Sequence, residues 1–322
     1  MANYSCDVSV CITSYNHEDY IRDCVMSVIA QREDVSLEVI IGDDCSNDKT
    51  KQILKKLKTT YPDIITVVRH EANLGYGALN LRSILPLTRG RYIAHLDGDD
   101  FWLPGKLRQQ MQYMEKNDGC VAVCTNSLCL DKNGVALGVF NNQGKIKRIS
   151  RTYLMQYGNF INHSTLLYKA ELRESIIPPD GLFIDYTLLM NLASLGDIGY
   201  IDKILSVYRI GTASSVIDNL NEHVRSLYWE SINKPSGEVV GDRNKRLASA
   251  DFLSKVFYRS IKTRSMALMK KWWPIVSAEH REHKARLTLL AISNILITGI
   301  RLFLSLVASR IGGTRLRVIY WR

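Results

Sequence analysis

The first hundred residues alternate short apolar runs with amphipathic segments, and this alternation constrains the fold more than any other feature of the chain. Apolar runs of strand length occur at Val8–Thr13, Leu37–Ile41, Ile64–Val68 and Tyr92–Leu96. Apolar residues at helical spacing occur in residues 18–31, 47–60, 76–88 and 104–117. Strands and helices that alternate in this way form βαβ units, so the sequence predicts an α/β protein with a mostly parallel sheet and flanking helices.

Polar side chains follow three of the four predicted strands, at the point where each strand ends. Open sheets of this kind bind ligands beyond the carboxyl ends of their strands, near the place where the strand order reverses. The residues of interest are therefore those directly after the strands: Thr13, Ser14, Tyr15 and Asn16; Asp43 and Asp44; and Asp97, Gly98, Asp99 and Asp100.

The cluster Asp97–Asp100 places three carboxylates on a turn that contains one glycine. A hard divalent cation takes oxygen ligands, and Mg²⁺ typically combines one or two carboxylates with the phosphates of a substrate. The cluster therefore predicts a metal-bridged phosphate site. The alternative is an acidic surface turn, because Asp and Gly are ordinary turn residues.

The charge of the chain is unevenly distributed. The net charge is +10, and residues 243–322 hold 17 Lys and Arg against 3 Asp and Glu. Such a basic tail indicates an acidic partner, either nucleic acid or an anionic membrane surface. The seven cysteines are odd in number and lack CxxC spacing, which argues against a zinc site or a disulfide framework and favours a cytosolic compartment.

The motifs, taken in order, resemble those of family-2 glycosyltransferases with the GT-A fold. The resemblance covers roughly residues 7–210 and is carried by residues 8–16, residues 39–48, Asn73-Leu74-Gly75 with Asn80, and residues 96–100. It implies a Rossmann-like GT-A sheet and an inverting transferase that takes its sugar from a nucleotide sugar, usually a UDP-sugar. It also implies a divalent metal cofactor, Mn²⁺ or Mg²⁺.

The resemblance further implies which residues hold the donor and the metal. The nucleotide sugar would be bound by Thr13, Tyr15, Asn16, Asp44, Asn73, Gly75, Asp97 and Asp99. The metal ligands would be Asp99 and Asp100. Two of these residues have structural alternatives, because Tyr15 is also typical of a half-buried strand end and Gly75 of a turn.

An inverting transferase also needs a base for the acceptor hydroxyl, and relatives carry an acidic residue at the start of a late helix. Asp185 is the matching residue here, and Ile184 replaces the usual acidic neighbour. The alternative is that Asp185 only caps its helix. His163 and Arg209 match positions near the acceptor or the phosphates, with a buried core histidine and a surface arginine as their alternatives.

The basic tail is predicted to be a separate helical region that associates with a membrane. A catalytic domain of residues 1–233 would be followed by a linker of residues 234–243 and a basic amphipathic region of residues 244–322. Leu287–Ala308 is mostly apolar and long enough to span a bilayer. Polar residues recur along it every three or four positions, which favours in-plane binding to an anionic membrane surface over spanning. The alternative is a helical hairpin packed on the catalytic domain or in a dimer.

The resemblance, taken with the basic apolar tail, implies an inverting enzyme that moves a sugar from a UDP-sugar to a hydroxyl of a lipid-diphosphate-linked saccharide in surface polysaccharide (O-antigen) synthesis. Its expected location is the cytoplasmic face of the plasma membrane, as a peripheral or monotopic protein, with no nucleic-acid partner. Two alternatives remain open at this point, a nucleotidyltransferase and a non-catalytic nucleotide-sugar-binding protein. A nucleic-acid-binding protein is the least expected, because no RRM, KH or helix-turn-helix signature is present.

Overall fold

The computed structural model describes residues 4–141, 147–212, 221–233, 241–311 and 318–319. The strands are β1 (Cys6–Ser14), β2 (Leu37–Asp43), β3 (Ile65–Arg69), β4 (Gly90–Asp97), β5 (Phe101–Trp102), β6 (Cys120–Asp131), β7 (Ala136–Val139), β8 (Arg148–Ile149), β9 (Leu167–Lys169) and β10 (Asp197–Ile210). The helices are α1 (Ile21–Ile29), α2 (Thr50–Thr60), α3 (Gly77–Ile84), α4 (Lys106–Lys116), α5 (Arg151–Tyr157), α6 (Arg173–Ile176), α7 (Asp185–Leu195), α8 (Asn221–Asn233), α9 (Asp242–Lys262), α10 (Ala267–Ala278) and α11 (Lys284–Ile311).

Within these ranges the strands form one ten-stranded sheet in the order β3-β2-β1-β4-β9-β6-β10-β5, with β7 beside β6 and β8 beside β10. β1 is parallel to β2 and β4, and β2 is parallel to β3. β9 is antiparallel to both of its neighbours, β4 and β6. The prediction of a mostly parallel sheet is therefore correct for the first four strands, and the long pair β6 and β10 is also parallel. The short strands β5, β7, β8 and β9 pair antiparallel, so the whole sheet is mixed.

The central strands are buried on both faces, which explains why they are nearly continuous apolar runs. Val8, Val10 and Ile12 of β1 pack in a hydrophobic cluster with residues of α1, whereas Cys11 packs in a second cluster on the opposite face. Side chains of a strand alternate between its faces, so one strand contributes to both clusters. This burial fixes the register of β1 and with it the position of the polar residues at its carboxyl end.

The C-terminal helices belong to the second of these clusters. Phe252 of α9, Trp272 of α10 and Leu287 of α11 are buried in it together with Ile93 of β4 and Tyr186 of α7. Residues 234–240 of the predicted linker lie outside the described residues, and α9 begins at Asp242. The proposed division into two domains therefore stays a prediction, while the helices themselves pack on the sheet region.

Helix α11 also leaves a stripe of apolar side chains uncovered. Leu289, Ile292, Leu296, Ile300 and Phe303 are 48–68% exposed, at the three- and four-residue spacing of one helix face. Some side chains at the end of the predicted segment Leu287–Ala308 lie outside the described residues. No membrane-crossing helix is found in the part of the chain that the structure describes.

Candidate functional site

The carboxyl ends of β1 and β4 lie side by side at the point where the strand order reverses. Thr13 is in register with Asp97, and the Thr13 hydroxyl donates to Asp97 Oδ1 at 3.1 Å. The Gly98 amide donates to the Thr13 carbonyl at 2.9 Å. A Cβ atom at Gly98 would lie 2.5 Å from His17 Nδ1, so only glycine allows the acidic turn to approach β1 this closely. The two predicted motifs are thus one unit.

The loop Asn73–Gly75 is tied to the end of β2 by Asp44. Asp44 Oδ1 accepts from the Leu74 amide at 2.7 Å, and Asn73 Nδ2 donates to the Asp44 carbonyl at 3.2 Å. Gly75 has φ +78°, and a Cβ atom there would meet nothing closer than 3.9 Å. Glycine is needed at this position for its backbone conformation, as the turn interpretation predicts. The loop nevertheless lies beside Asp44, as the donor-binding interpretation requires.

Asn16 joins the loops after β1 and β2. It adopts φ +54°, a left-handed conformation that Asn tolerates better than most residues. Its amide donates to Ser46 Oγ at 3.0 Å, and its Oδ1 accepts from the Asn47 amide at 2.8 Å. Tyr15 precedes it and is half-buried. We call Thr13–Asn16, Asp44, Asn73–Gly75 and Asp97–Asp100 the strand-end cluster.

The carboxylates of the acidic turn differ in how they are held. Asp100 is fully buried, and its two oxygens accept from Ser164 Oγ at 2.5 Å and from the Arg209 amide at 2.9 Å. Asp99 is 8% exposed and accepts from Thr212 Oγ1 at 2.6 Å. Burial, followed by the charges of Asp99 and Asp97, raises the pKa of Asp100 well above its ordinary value. Burial likewise raises the pKa of Asp97 to about 6.

A divalent cation fits this environment, because carboxylates with raised pKa values are stabilised in their charged form by a nearby positive charge. No three His, Cys, Asp or Glu side chains converge as a metal site within the described ranges. The donor set fits an ion whose remaining ligands are substrate phosphates and water. The assignment of Asp99 and Asp100 as metal ligands stays a prediction.

Arg209 braces the acidic turn. Its guanidinium lies 4.8 Å from the ring centroids of both Tyr20 and Phe101, and its Nη1 donates to the Asp99 carbonyl at 2.5 Å. It also lies 3.6 Å from Asp23, and only 10% of its side chain is exposed. With these contacts and this burial, Arg209 is not a surface arginine, which is the alternative interpretation of the sequence. Its predicted contact with the diphosphate is not tested by them.

Asp185 and His163 lie next to each other at the start of α7, and we call them the helix-start pair. Ile184 is the N-cap of α7, so Asp185 is its first residue and does not cap the helix. The Asp185 side chain is 54% exposed, and its Oδ1 lies 3.7 Å from His163 Nδ1. Its charge contributes to the raised pKa of Asp97. The pair therefore lies near Asp97 of the strand-end cluster.

Ser164 connects the two groups of residues. Its hydroxyl donates to Asp100 and accepts from the Asp97 amide at 3.1 Å. It lies in the 3₁₀ turn His163–Thr165. The position of His163 relative to the acidic turn is thereby fixed.

Three further residues of the site carried little sequence signal. His95 is a lone polar residue in an apolar strand, and it belongs to none of the sequence motifs. Thr212 lies just after β10, with no motif around it. Lys106 is fully buried, with its Nζ 4.0 Å from the Trp102 ring centroid and 2.7 Å from Gln110 Oε1. Burial lowers the pKa of Lys106 well below its ordinary value.

Comparison with known proteins identifies the family. The family model "Glycosyl transferase family 2" matches residues 9–169, which is half of the chain. The chain therefore belongs to glycosyl transferase family 2. The matched segment contains the whole strand-end cluster and His163, whereas Asp185 and Arg209 lie beyond it.

One similar protein is an enzyme whose activity is named. It is the UDP-Glc:alpha-D-GlcNAc-diphosphoundecaprenol beta-1,3-glucosyltransferase WfaP of Escherichia coli, which is 30% identical over 215 residues, 66% of this chain and 80% of WfaP. The chain spans 58% of the length of the first curated relatives that it matches.

Solved structures share the fold. TarS residues 1–349 of Staphylococcus aureus, in complex with UDP-GlcNAc, align with a TM-score of 0.64 at 18% identity over 90% of this chain and 89% of TarS. The mannosyltransferase PcManGT of Pyrobaculum calidifontis, in complex with GDP-Man and Mn²⁺, aligns with a TM-score of 0.54 at 15% identity over 91% and 88%. The predicted α/β fold of the GT-A type is confirmed.

Proposed function

We propose that this protein is an inverting glycosyltransferase that moves a sugar from a UDP-sugar to a hydroxyl of a lipid-diphosphate-linked saccharide in surface polysaccharide synthesis. The observation that carries the proposal is the exposed carboxylate of Asp185 at the start of α7, which lies near enough to the buried acidic turn for its charge to raise the pKa of Asp97. A base on one side and a phosphate-binding acidic turn on the other are the two parts that a displacement at the anomeric carbon requires.

The strand-end cluster would bind the nucleotide. Thr13, Tyr15 and Asp44 would contact the base, since a carboxylate can accept from the imide N–H of uracil and a tyrosine offers its ring. Asp97 and Asp99 would lie near the ribose and the diphosphate. UDP as the nucleotide is supported by the UDP-Glc donor in the name of WfaP and by the UDP-GlcNAc in the TarS complex.

Asp99, with Asp100, would hold the divalent ion, whose chemistry is to neutralise negative charge on the diphosphate as it leaves. The Mn²⁺ in the complex of PcManGT supports such an ion. Arg209 contributes by fixing the acidic turn through the Asp99 carbonyl. Asp185 would take the proton of the acceptor hydroxyl as its oxygen attacks the anomeric carbon from the opposite face, which inverts the configuration.

A lipid-linked acceptor is supported by the exposed apolar stripe of α11. Basic residues lie around this stripe, and they are exposed at Arg281, Lys284, Arg286 and Arg301. Apolar residues flanked by cations suit the interface of an anionic bilayer, where each basic residue adds on the order of 1 kcal/mol of attraction. The acceptor named for WfaP is also linked to a polyprenol. We propose peripheral binding at the cytoplasmic face of the plasma membrane.

Flotation with liposomes tests this surface. The full chain is expected to float with vesicles that contain phosphatidylglycerol, and Leu296→Glu with Ile300→Glu should stay at the bottom. Leu87→Glu, at an exposed leucine outside α11, is the control. Equal flotation of the double variant and the control would refute the proposed membrane surface.

The activity is tested by incubating the protein with a panel of UDP-sugars and a synthetic GlcNAc-diphosphoundecaprenol, with and without EDTA. Transfer that requires the metal supports the proposal. Binding of UDP-sugar without transfer to any acceptor would indicate a non-catalytic binder. Formation of a nucleotide sugar from UTP and a sugar phosphate would indicate a nucleotidyltransferase.

A further inference from the structure

A line of three buried rings ends at the Asp185 carboxylate. The Tyr168 hydroxyl lies 3.1 Å from His95 Nε2, and His95 Nδ1 lies 3.0 Å from His163 Nε2. His163 Nδ1, at the other side of that ring, lies 3.7 Å from Asp185 Oδ1. Tyr168 belongs to β9, His95 to β4 and His163 to the 3₁₀ turn, so three separate elements bring these groups into contact.

The last step of this line is open. His163 Nδ1 is buried and has no hydrogen-bond partner among the described residues. The distance of 3.7 Å to Asp185 is too long for a hydrogen bond, but a small movement of the exposed carboxylate would close it. Hydrogen bonds in catalytic sites are often long without substrate and tighten when substrate binds. A buried, unpartnered ring nitrogen therefore faces the proposed base.

The Asp185 carboxylate at the end of the line sets the direction of every hydrogen bond in the line. An ionised carboxylate can only accept, so His163 must present Nδ1–H to Asp185. Its Nε2 is then an acceptor and needs Nδ1–H of His95. His95 Nε2 is in turn an acceptor and needs the Tyr168 O–H. Only one arrangement of protons on neutral rings satisfies all four groups.

The environment keeps His95 neutral, as this arrangement requires. Burial, followed by the charges of His163 and Lys106, lowers the pKa of His95 well below its ordinary value. Other titratable or charged groups near the line include Asp97 on β4, near His163, and Cys11 and Arg173, near Tyr168. The Tyr168 hydroxyl also keeps its proton, because burial raises its pKa well above the ordinary value.

We infer that His163 and His95 are positioning residues for the proposed reaction: His163 orients the Asp185 carboxylate through a donated Nδ1–H, and His95, held by Tyr168, fixes His163 in that tautomer. The inference rests on the proposed function, because it assigns Asp185 as the base. The proton that Asp185 takes from the acceptor stays on Asp185 until solvent removes it.

The test compares His95→Asn with His95→Leu. The Asn amide N–H lies near the position of the imidazole Nδ1 and can still donate to His163, whereas Leu has a similar size and no donor. Orientation by outer hydrogen-bond partners is worth about 10- to 100-fold in metal sites, and we expect a fall in kcat of that order for Leu and a much smaller one for Asn. The KM for the UDP-sugar should change little in either variant.

A role in core packing alone predicts the reverse order, because His95 is only 1% exposed and an apolar side chain would suit a buried site better. Equal kcat values, or a more active Leu variant, would overturn the inference. If His95→Leu fails to bind UDP, His163→Asn against His163→Leu decides instead, because Asn keeps a donor near the position of Nδ1.

A measurement without turnover separates this inference from the proposed function. Nitrogen-15 spectra of histidine-labelled protein at neutral pH should show His163 and His95 both protonated at Nδ1 and unprotonated at Nε2. The Nε2–H tautomer at His163 would overturn the inference even in an active enzyme. Release of UDP from no sugar of the panel would instead refute the proposed function, and the spectra would still decide the proton arrangement.

Discussion

The strand-end cluster and the helix-start pair lie near each other, and they are built differently. In the strand-end cluster, Asp44, Asp99 and Asp100 are buried and accept hydrogen bonds from the protein. In the helix-start pair, Asp185 is 54% exposed, and among the described residues its side chain makes only the 3.7 Å contact with His163. One side is assembled before any ligand arrives, and the other leaves its carboxylate accessible. A fixed site for a charged donor and an accessible base for an incoming hydroxyl would produce this contrast.

The largest effect is expected at the accessible side. Asp185→Asn removes the proposed base with little change in shape, and general-base catalysis contributes typically about 10²–10⁴-fold. We expect kcat to fall by that order while the Kd for UDP stays within about twofold, because the proposed donor contacts lie in the strand-end cluster and do not include Asp185. Steady-state transfer assays and calorimetry measure the two quantities. Asp118→Asn, at an exposed aspartate on the protein surface, is the matched control, and substantial activity in Asp185→Asn would remove the assignment.

In the strand-end cluster, a substitution is expected to weaken UDP binding. Asp99→Asn should weaken UDP binding in the presence of Mn²⁺ by at least about tenfold, because a neutral amide is a poor ligand for a hard cation. Binding in EDTA should be nearly unchanged, so the metal dependence itself should disappear. Calorimetric titration with UDP in both conditions makes the comparison. An unaltered difference between Mn²⁺ and EDTA would exclude Asp99 as a ligand.

The smallest effect concerns stability and pH. The pKa of Asp100 is raised in the folded protein, so its contribution to folding is present at low pH and is lost as the pH rises through the raised pKa. Asp100→Asn stays neutral and can keep contacts with Ser164 and the Arg209 amide. In EDTA, its Tm should exceed that of the wild type by about 2–4 °C at high pH for each 1 kcal/mol relieved, and the difference should vanish in acid. Calorimetric scans that show no dependence of this difference on pH would contradict the burial argument.

The same contrast explains what the sequence predicts well. The strands and helices of the first hundred residues follow from apolar periodicity, because β1, β2 and β4 are buried on both faces and their register fixes the polar ends. Most of the strand-end cluster lies within a few residues of those ends. Local patterns are sufficient there, since each residue's position depends on its own strand.

The other side depends on contacts between distant segments, which local patterns do not encode. His163 meets Asp185 and His95 only because β9 enters the sheet antiparallel, between β4 and β6, and the sequence favours a mostly parallel sheet. Arg209 reaches the acidic turn through the tertiary pairing of β10 with β5. The sequence does not indicate a role for Lys106, because a lysine at helical spacing is normally exposed. In the structure this lysine is buried beside Trp102.

The most direct test of the account is the configuration of the transferred sugar. UDP-hexoses of the gluco series carry an α-linked sugar, and a base that activates the acceptor on the face opposite the diphosphate must give a β-linked product. Proton NMR of the product formed from UDP-glucose or UDP-N-acetylglucosamine measures this configuration through the coupling at the anomeric proton. The account predicts the β anomer from the first turnover. An α-linked product would contradict single displacement and the role of Asp185 together.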